Sequence, residues 1–141
     1  ESLPLDCFAC SRVRRRTLLE GAEARGASHV ALGHHADDVV ETWLMSLFFT
    51  GSPEAMPPLR SYFGDSITVT RPLYELQKKE LGRLVRLAGA PRPAAACARE
   101  EDSKRQKIRS VLKSLGKDQK VVKRQLFWAA VRQAEKEGAK D

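Results

Sequence analysis

The feature that most limits the fold of this sequence is the alternation of short strand-like runs with helical segments. Residues 29–32 form a short, mainly apolar run followed directly by Gly33, and residues 67–70 form a β-branched run that ends at Arg71 and Pro72. Both runs are typical of short buried strands. Helical periodicity precedes, separates and follows them, and this alternation is typical of an α/β domain with a parallel sheet.

Helical periodicity, with glycine and proline stops, predicts five helices. They cover residues 11–25, a stretch beginning near Asp37, residues 76–87, residues 103–115 and a stretch after Asp118. Residues 51–66 contain three prolines and two glycines and are predicted to form a loop. Because two strands make a poor sheet, we expect the C-terminal half of an α/β domain over residues 1–93, whose first half lies upstream, and a basic helical segment over residues 94–141.

The positive charge of the chain is concentrated in its last third. The 141 residues carry 25 Lys and Arg against 18 Asp and Glu, a net charge of +7, and residues 99–141 alone account for +6. Residues 103–124 hold nine basic side chains and a single acidic one, Asp118. Such a block attracts polyanions, so nucleic acid is the first partner to test, although a merely solvated helical surface has the same composition. No apolar run approaches the about 18 residues of a membrane span, so we expect no membrane partner.

Three cysteines indicate metal or redox chemistry. Cys7 and Cys10 form a CxxC, and Cys97 lies far downstream. We expect a cytoplasmic protein. An odd number of cysteines is not typical of a disulfide framework, and a CxxC in such a protein indicates a metal site or a redox pair. Three thiolates are one short of a closed zinc site and would suit an iron–sulfur cluster with one open iron. A redox pair with an unrelated buried Cys97 is equally compatible with the spacing.

The sharpest motif is GHHADDVVET at residues 33–42, where a predicted strand leads into a helix. Ligands of open α/β sheets bind at this edge. Gly33 allows a tight turn, and two histidines and two aspartates follow it: His34, His35, Asp37 and Asp38. The aspartates fall in the first helical turn, where the helix dipole favours carboxylates, so helix capping alone would explain them. They could equally hold Mg²⁺ with a phosphate.

Taken together, these motifs resemble those of the N-type ATP pyrophosphatases, or PP-loop proteins. The resemblance runs from about Cys7 to Leu112, and it is closest to the tRNA 2-thiocytidine synthetases, with the tRNA-lysidine synthetases more distant. It rests on the CxxC and its basic helix, GHHADDVVET, Gly51, Met56-Pro57-Pro58 and Arg71-Pro72-Leu73. The fold that it implies is a HUP-like, Rossmann-like parallel-sheet domain.

The resemblance implies a two-step reaction on tRNA. Such enzymes adenylate a base carbonyl oxygen with ATP and Mg²⁺, and a sulfur nucleophile then displaces AMP. It implies that Asp37 and Asp38 are catalytic, and that they bind the nucleotide together with Gly33, His34 and His35.

The resemblance also assigns the cysteines and a set of basic residues. Cys7, Cys10 and Cys97 would bind a [4Fe–4S] cluster through three thiolates, and a sulfur donor protein or sulfide would supply the sulfur. Basic side chains near this sulfur site are expected to contact the tRNA backbone. They are Arg14, Arg15, Arg71, Lys104, Arg105 and Lys107.

Two departures from the family pattern shape the remaining expectations. The phosphate-binding motif SGGxDS does not occur in the 141 residues, and Glu41 stands where the 2-thiocytidine synthetases often have Gln. We therefore expect either a C-terminal part of an enzyme or a chain whose phosphate-binding loop lies on a separate polypeptide, in both cases inactive alone and poor at binding ATP. Its missing strands would leave apolar surface through which it forms a homodimer or exchanges elements by domain swapping.

Three alternatives stay open at the level of the sequence. The chain could be a basic RNA-binding module whose CxxC holds Zn²⁺ with His34 or His35 as the fourth ligand. It could be a PP-loop relative that transfers sulfur to a substrate other than tRNA. Finally, Asp37 and Asp38 could only cap a helix, with the cysteines simply buried.

Overall fold

A computed structural model of the chain describes residues 7–91 and 103–138. They form two compact units that are interleaved along the sequence. The first unit contains residues 7–32 and 58–72, and the second contains residues 33–57, 73–91 and 103–138. The chain therefore passes from the first unit to the second, back to the first, and again to the second. The boundary expected at residue 93 stays a prediction.

The first unit is a small α/β structure. Helix α1 (Cys7–Glu23) is followed by the strands β1 (His29–Ala31), β2 (Leu59–Tyr62) and β3 (Ile67–Thr70). The sheet order is β1-β3-β2, in which β1 runs parallel to β3 and β2 antiparallel to it. This parallel pair confirms the predicted α/β class.

The core of the first unit is small, because its strands are short. Ile67 and Val69 point from β3 to the same face of the sheet and are buried together with Leu19 of α1. Val30 and Leu32 pack against this cluster from the β1 segment.

Strand β2 lies inside the segment predicted to be a loop, and that prediction is wrong for residues 59–62. The strand pairs with β3 through a tight connection in which Phe63 and Asp65 have positive φ angles of 54° and 69°. The local sequence is poor in strand formers, so β2 owes its conformation to the hydrogen bonds of this pairing rather than to its own propensity.

The second unit is helical. It contains α2 (Ala36–Thr50), α3 (Lys78–Leu87), α4 (Lys104–Ser114) and α5 (Gln119–Gly138), with a single 3₁₀ turn (Gly116–Asp118) before α5. The prediction of a helical C-terminal segment is confirmed. Helices α2, α4 and α5 pack around a common core to which they contribute Val39, Val40, Ile108, Leu112 and Ala130.

Helix α3 differs from the other helices of the second unit, because it has a strong apolar stripe that its own unit does not bury. Leu84, Val85 and Leu87 are 51%, 42% and 76% exposed, and the helix has no buried residue. Over the residues that the structure describes, none of the helices is long and apolar enough to cross a membrane.

Candidate functional site

The turn between β1 and α2 is held by a reciprocal cap. The backbone N–H of His35 donates to Asp38 Oδ2 at 3.1 Å, and the backbone N–H of Asp38 donates to His35 Nδ1 at 3.4 Å. Because Nδ1 accepts, the proton of the neutral His35 ring lies on Nε2. The cap satisfies two backbone donors at the start of α2. It accounts for one carboxylate oxygen of Asp38 and leaves the other for a different partner.

Asp37, in the same turn, is held by two donors. Its Oδ1 accepts from Lys123 Nζ of α5 at 2.6 Å, and its Oδ2 accepts from the backbone N–H of Lys78 at 2.8 Å. Burial by itself would raise the pKa of Asp37, but the Lys123 and Lys78 hydrogen bonds and the Lys123 charge outweigh it, so the pKa lies below the ordinary value of 3.8. His35 lowers the pKa further through its charge when protonated.

The lowered pKa of Asp37 makes the stability of the protein depend on pH in acid. The folded state binds the Asp37 proton more weakly than the unfolded state does. The ion pair of Asp37 with Lys123 therefore stabilises the fold fully above about pH 4, and this stabilisation is lost as the pH falls through the lowered pKa. We expect Asp37→Asn to be less stable than the wild type at neutral pH, and to lose less stability on acidification. Urea unfolding at several pH values measures this, with the exposed Asp118→Asn as control. Parallel pH profiles for D37N and wild type would contradict the assignment.

Glu41 accepts hydrogen bonds from two arginines of α4, one of which also donates to Asp38, and sequence reasoning missed this role. Arg105 Nη1 donates to Asp38 Oδ1 at 2.9 Å and to Glu41 Oε2 at 3.2 Å, and Arg109 Nε donates to Glu41 Oε1 at 2.9 Å. Glu41 is only 5% exposed. We call Asp38, Glu41, Arg105 and Arg109 the ion-pair clamp. Its helical spacings, i,i+3 on α2 and i,i+4 on α4, were the signal that could have revealed it.

Protein donors engage the carboxylates of the two aspartates in this arrangement, and the Mg²⁺ expected at this turn stays a prediction. Both oxygens of Asp37 and both of Asp38 already accept hydrogen bonds from lysine, arginine or backbone donors. Among the described residues, no group of three or more His, Cys, Asp or Glu side chains could hold a metal ion. A cation at this turn would compete with Lys123 and Arg105 for the carboxylates of Asp37 and Asp38. The predicted catalytic and nucleotide-binding roles of Asp37 and Asp38, with Gly33, His34 and His35, stay predictions.

Two of the three predicted cluster ligands begin α1. Cys7 and Cys10 are free thiols in the first turn of the helix, Cys7 exposed and Cys10 partly buried. Positions i and i+3 lie on one helical face with their Cβ atoms about 5–6 Å apart, so both sulfurs can bind one metal group. The interpretation of these two cysteines as simply buried does not hold for Cys7. Cys97 lies outside the described residues.

The basic residues predicted to contact RNA have different environments. Arg14, Arg15 and Lys107 are exposed, and Lys104 is exposed with its Nζ 4.9 Å from the centre of the Phe49 ring. Arg71 is buried in the first unit, and Arg105 belongs to the ion-pair clamp. RNA contacts by all six stay predictions: Arg14, Arg15, Arg71, Lys104, Arg105 and Lys107.

A groove of about 690 Å³ runs through the second unit beside Asp37. Its walls come from α3, represented by Lys79 and Glu80, and from α5, represented by Lys120 and Arg124. The aromatic rings of Phe127 and Trp128 on α5 also line this groove. Sequence reasoning did not predict this groove, because it depends on the packing of α5 beside the segment that leads into α3.

Comparison with known proteins places the chain in a family. The PP-loop domain family matches residues 9–115. The tRNA-cytidine(32) 2-sulfurtransferase of Alkalilimnicola ehrlichii is 42% identical over 112 residues, which are 78% of this chain and 35% of the relative. The enzyme of the same name from Shewanella woodyi is 38% identical over 107 residues, which are 75% of this chain and 34% of the relative.

A solved structure has the same fold. It is the U34-tRNA thiolase NcsA from Methanococcus maripaludis with its [4Fe–4S] cluster, which superimposes with a TM-score of 0.72 at 20% identity over 94% of this chain and 45% of NcsA. The present chain thus spans about a third of the two curated relatives and less than half of NcsA. From the match over residues 9–115 and the shared mixed α/β fold, we conclude that the chain belongs to the PP-loop domain family.

Proposed function

We propose that the chain is part of an ATP-dependent tRNA thiolation enzyme. In the proposed reaction a carbonyl oxygen of a tRNA base attacks the α-phosphorus of ATP and pyrophosphate leaves. Sulfur then adds to the activated carbon, and AMP leaves with the former carbonyl oxygen. Support comes from the family match and from relatives that are named tRNA 2-sulfurtransferases. The observation that carries the proposal is the pair of free thiols on one face of the first turn of α1.

The free thiols fit the iron–sulfur group that the reaction would use. Cys7 and Cys10 would supply two ligands and Cys97 the third, which leaves one iron without a protein thiolate. Such a cluster, when bound, supplies an open iron site at which sulfur can be held for transfer. The exposure of Cys7 would allow a sulfur donor protein or sulfide to reach the site. The site of the reaction in the cell would be the cytoplasm, where tRNA is available.

For the binding of ATP, we propose that Asp37 and Asp38 act by holding cationic side chains rather than a metal ion. Asp37 fixes Lys123 and Asp38 fixes Arg105, so each cation has a defined position at the start of α2. Lysine and arginine in fixed positions stabilise the charge of phosphates during displacement at phosphorus. The Nε2–H of His35 would be a further donor, because its Nδ1 is engaged in the cap.

The test of this function is anaerobic reconstitution of the whole chain with iron and sulfide, followed by metal analysis and visible absorbance. We expect a brown protein with about four irons per chain. A colourless protein that takes up about one zinc per chain would instead favour the RNA-binding module. Thiolation of a substrate other than tRNA, once the chain is supplied with a phosphate-loop half, would favour the second alternative.

The exposed apolar face of α3 leads us to propose self-association. Leu84 and Leu87 lie one turn apart on this face and are 51% and 76% exposed. We expect the sedimentation coefficient of the wild-type chain to rise with protein concentration, and that of the double variant L84E/L87E to stay at the monomer value. The variant R83E, on the same helix, is the control for added negative charge. A wild-type chain that remains a monomer at all concentrations would overturn the proposed homodimer.

A further inference from the structure

The ion pairs of the second unit decide which basic residues remain for a polyanion. Residues 103–124 hold nine basic side chains, but Arg105, Arg109 and Lys123 are paired with carboxylates of α2. A paired cation can still donate a hydrogen bond to a phosphate, but its carboxylate reduces its share of the long-range attraction, so the cations outside these pairs contribute more to the affinity for a polyanion. Two of the remaining residues, Lys120 and Arg124, line the groove beside α3.

An exposed tryptophan continues this pair of cations. Lys120, Arg124 and Trp128 follow each other at i,i+4 spacing, so they form one row along α5. Trp128 is 45% exposed and packs edge-on against Phe127, with ring centroids 5.3 Å apart at 74°. Phe127 is itself buried in the core of the second unit. The contact therefore holds the indole from one side and leaves much of its surface to solvent.

The remaining lining of the groove is mixed in charge. Lys79 lies on the wall opposite α5, as do the carboxylates Glu75 and Glu80, and Gln77 and Gln119 provide amide groups. The balance is thus only slightly positive, in contrast to the strongly basic run in the sequence. A surface of this kind is suited to a ligand that combines phosphates with a flat base whose edge has both donors and acceptors.

We propose that this groove binds a single-stranded stretch of RNA, with one base stacked on Trp128 and the adjoining phosphates at Lys120 and Arg124. Aromatic stacking combined with backbone cations is how single strands are commonly bound, whereas bases inside a duplex are covered on both faces by their stacked neighbours. The proposal deepens the proposed function, on which it rests for the choice of RNA as partner. It names α5 as the part of the chain that holds a loop of the substrate.

Intrinsic fluorescence gives a direct test with the full chain, because it has only two tryptophans, Trp43 and Trp128. The probes are an RNA stem-loop, its loop sequence as an unpaired oligonucleotide, and a blunt RNA duplex. We expect the stem-loop and the oligonucleotide to quench the fluorescence and the duplex to have little effect. Trp128→Phe should abolish most of the quenching, since the remaining tryptophan, Trp43, lies outside the groove. The variant should keep most of the affinity, because phenylalanine can still stack on a base.

Affinity measurements with labelled RNA separate stacking from charge. Trp128→Ala should weaken binding about tenfold, within the range for removal of one stacked base. The double variant K120Q/R124Q should reduce the slope of log affinity against log salt by about 0.7 for each phosphate that the protein no longer neutralises. The double variant K113Q/K136Q removes the same charge outside the groove. It should bind RNA within about twofold of the wild type, since salt screens the attraction between the bound RNA and charges that do not contact it.

Three results would overturn the proposal. The first is unchanged RNA affinity in both W128A and K120Q/R124Q, and the second is equal quenching by the duplex and the single strand. The third is a quenching of Trp128 that depends only on the concentration of the chain itself, which would assign the groove to a protein contact. Circular dichroism of each variant confirms that it is folded. Iron uptake without RNA binding would overturn the groove and leave the thiolation proposal standing. RNA binding at Trp128 by a chain that takes up no iron would overturn the iron–sulfur part of the thiolation proposal and leave the groove proposal standing.

Discussion

Alanine at Cys10 is expected to abolish the brown colour of the reconstituted chain and to lower its iron content from about four atoms to less than one per chain. The same result is expected for Cys97→Ala. A cluster held by three protein thiolates loses a third of its protein ligands with either substitution, and two thiolates do not retain it. Absorbance in the visible region and iron analysis after removal of unbound metal measure the effect.

The control for the cysteine variants is Ser11→Ala in the same helical turn. Ser11 Oγ donates to the Phe8 carbonyl at 2.8 Å, so S11A removes a local contact at the start of α1 without removing a thiol. Full iron uptake by S11A together with none by C10A supports ligation. Retention of colour in C97A would show that the third ligand is not Cys97, and would favour a site made from the CxxC and another residue.

Removal of the Glu41 carboxylate is expected to give the largest loss of stability of any single substitution in the clamp. Glu41→Ala leaves Arg105 and Arg109 without their shared partner and opens a cavity beside the core of α2 and α4. Breaking a buried ion pair costs about 3–5 kcal/mol, and the partial exposure of both arginines, 32% and 29%, places this case near the lower end. A loss of about 3 kcal/mol lowers the melting temperature by about 10 °C.

Calorimetry or denaturant unfolding measures the effect, with Glu135→Ala as the control at an exposed position of α5. A double-mutant cycle of E41Q and R109Q isolates the coupling between the two side chains, because the effects that each substitution has on its other surroundings cancel in the cycle. If E41A were as stable as E135A, the pairs would be equivalent to solvent-screened surface pairs, and the clamp would have no role in joining α2 to α4.

Most of the local structure could be predicted because its signals are local. The β-branched run at residues 67–70 is β3, and the periodic segments before and after it are helices. The helix predicted over residues 11–25 instead begins at Cys7, so the CxxC lies on the helix and not before it. Strand β2 escaped prediction because it is specified by β3, its partner across the hairpin, and not by its own four residues.

The candidate site could be predicted only in its first turn. GHHADD correctly indicated a strand-to-helix turn with capping, since caps depend on residues three positions apart. The clamp joins residues 64 to 68 positions apart, so it depends on which charged stripes of α2 and α4 meet after packing. Hydrophobicity was also a poor guide on α2, where Phe48 is 56% exposed and Glu41 is buried. Burial of a charge requires partners that hydropathy patterns do not show.

The interleaved order of the two units determines how the protein can be divided. Residues 33–57 belong to the second unit, while residues 58–72 complete the first. Any single cleavage of the chain therefore leaves at least one unit with its parts on two different fragments. Limited proteolysis should give a nicked protein or unfolded pieces, and not two autonomous domains. For the same reason, neither unit can be produced from one continuous segment of the sequence.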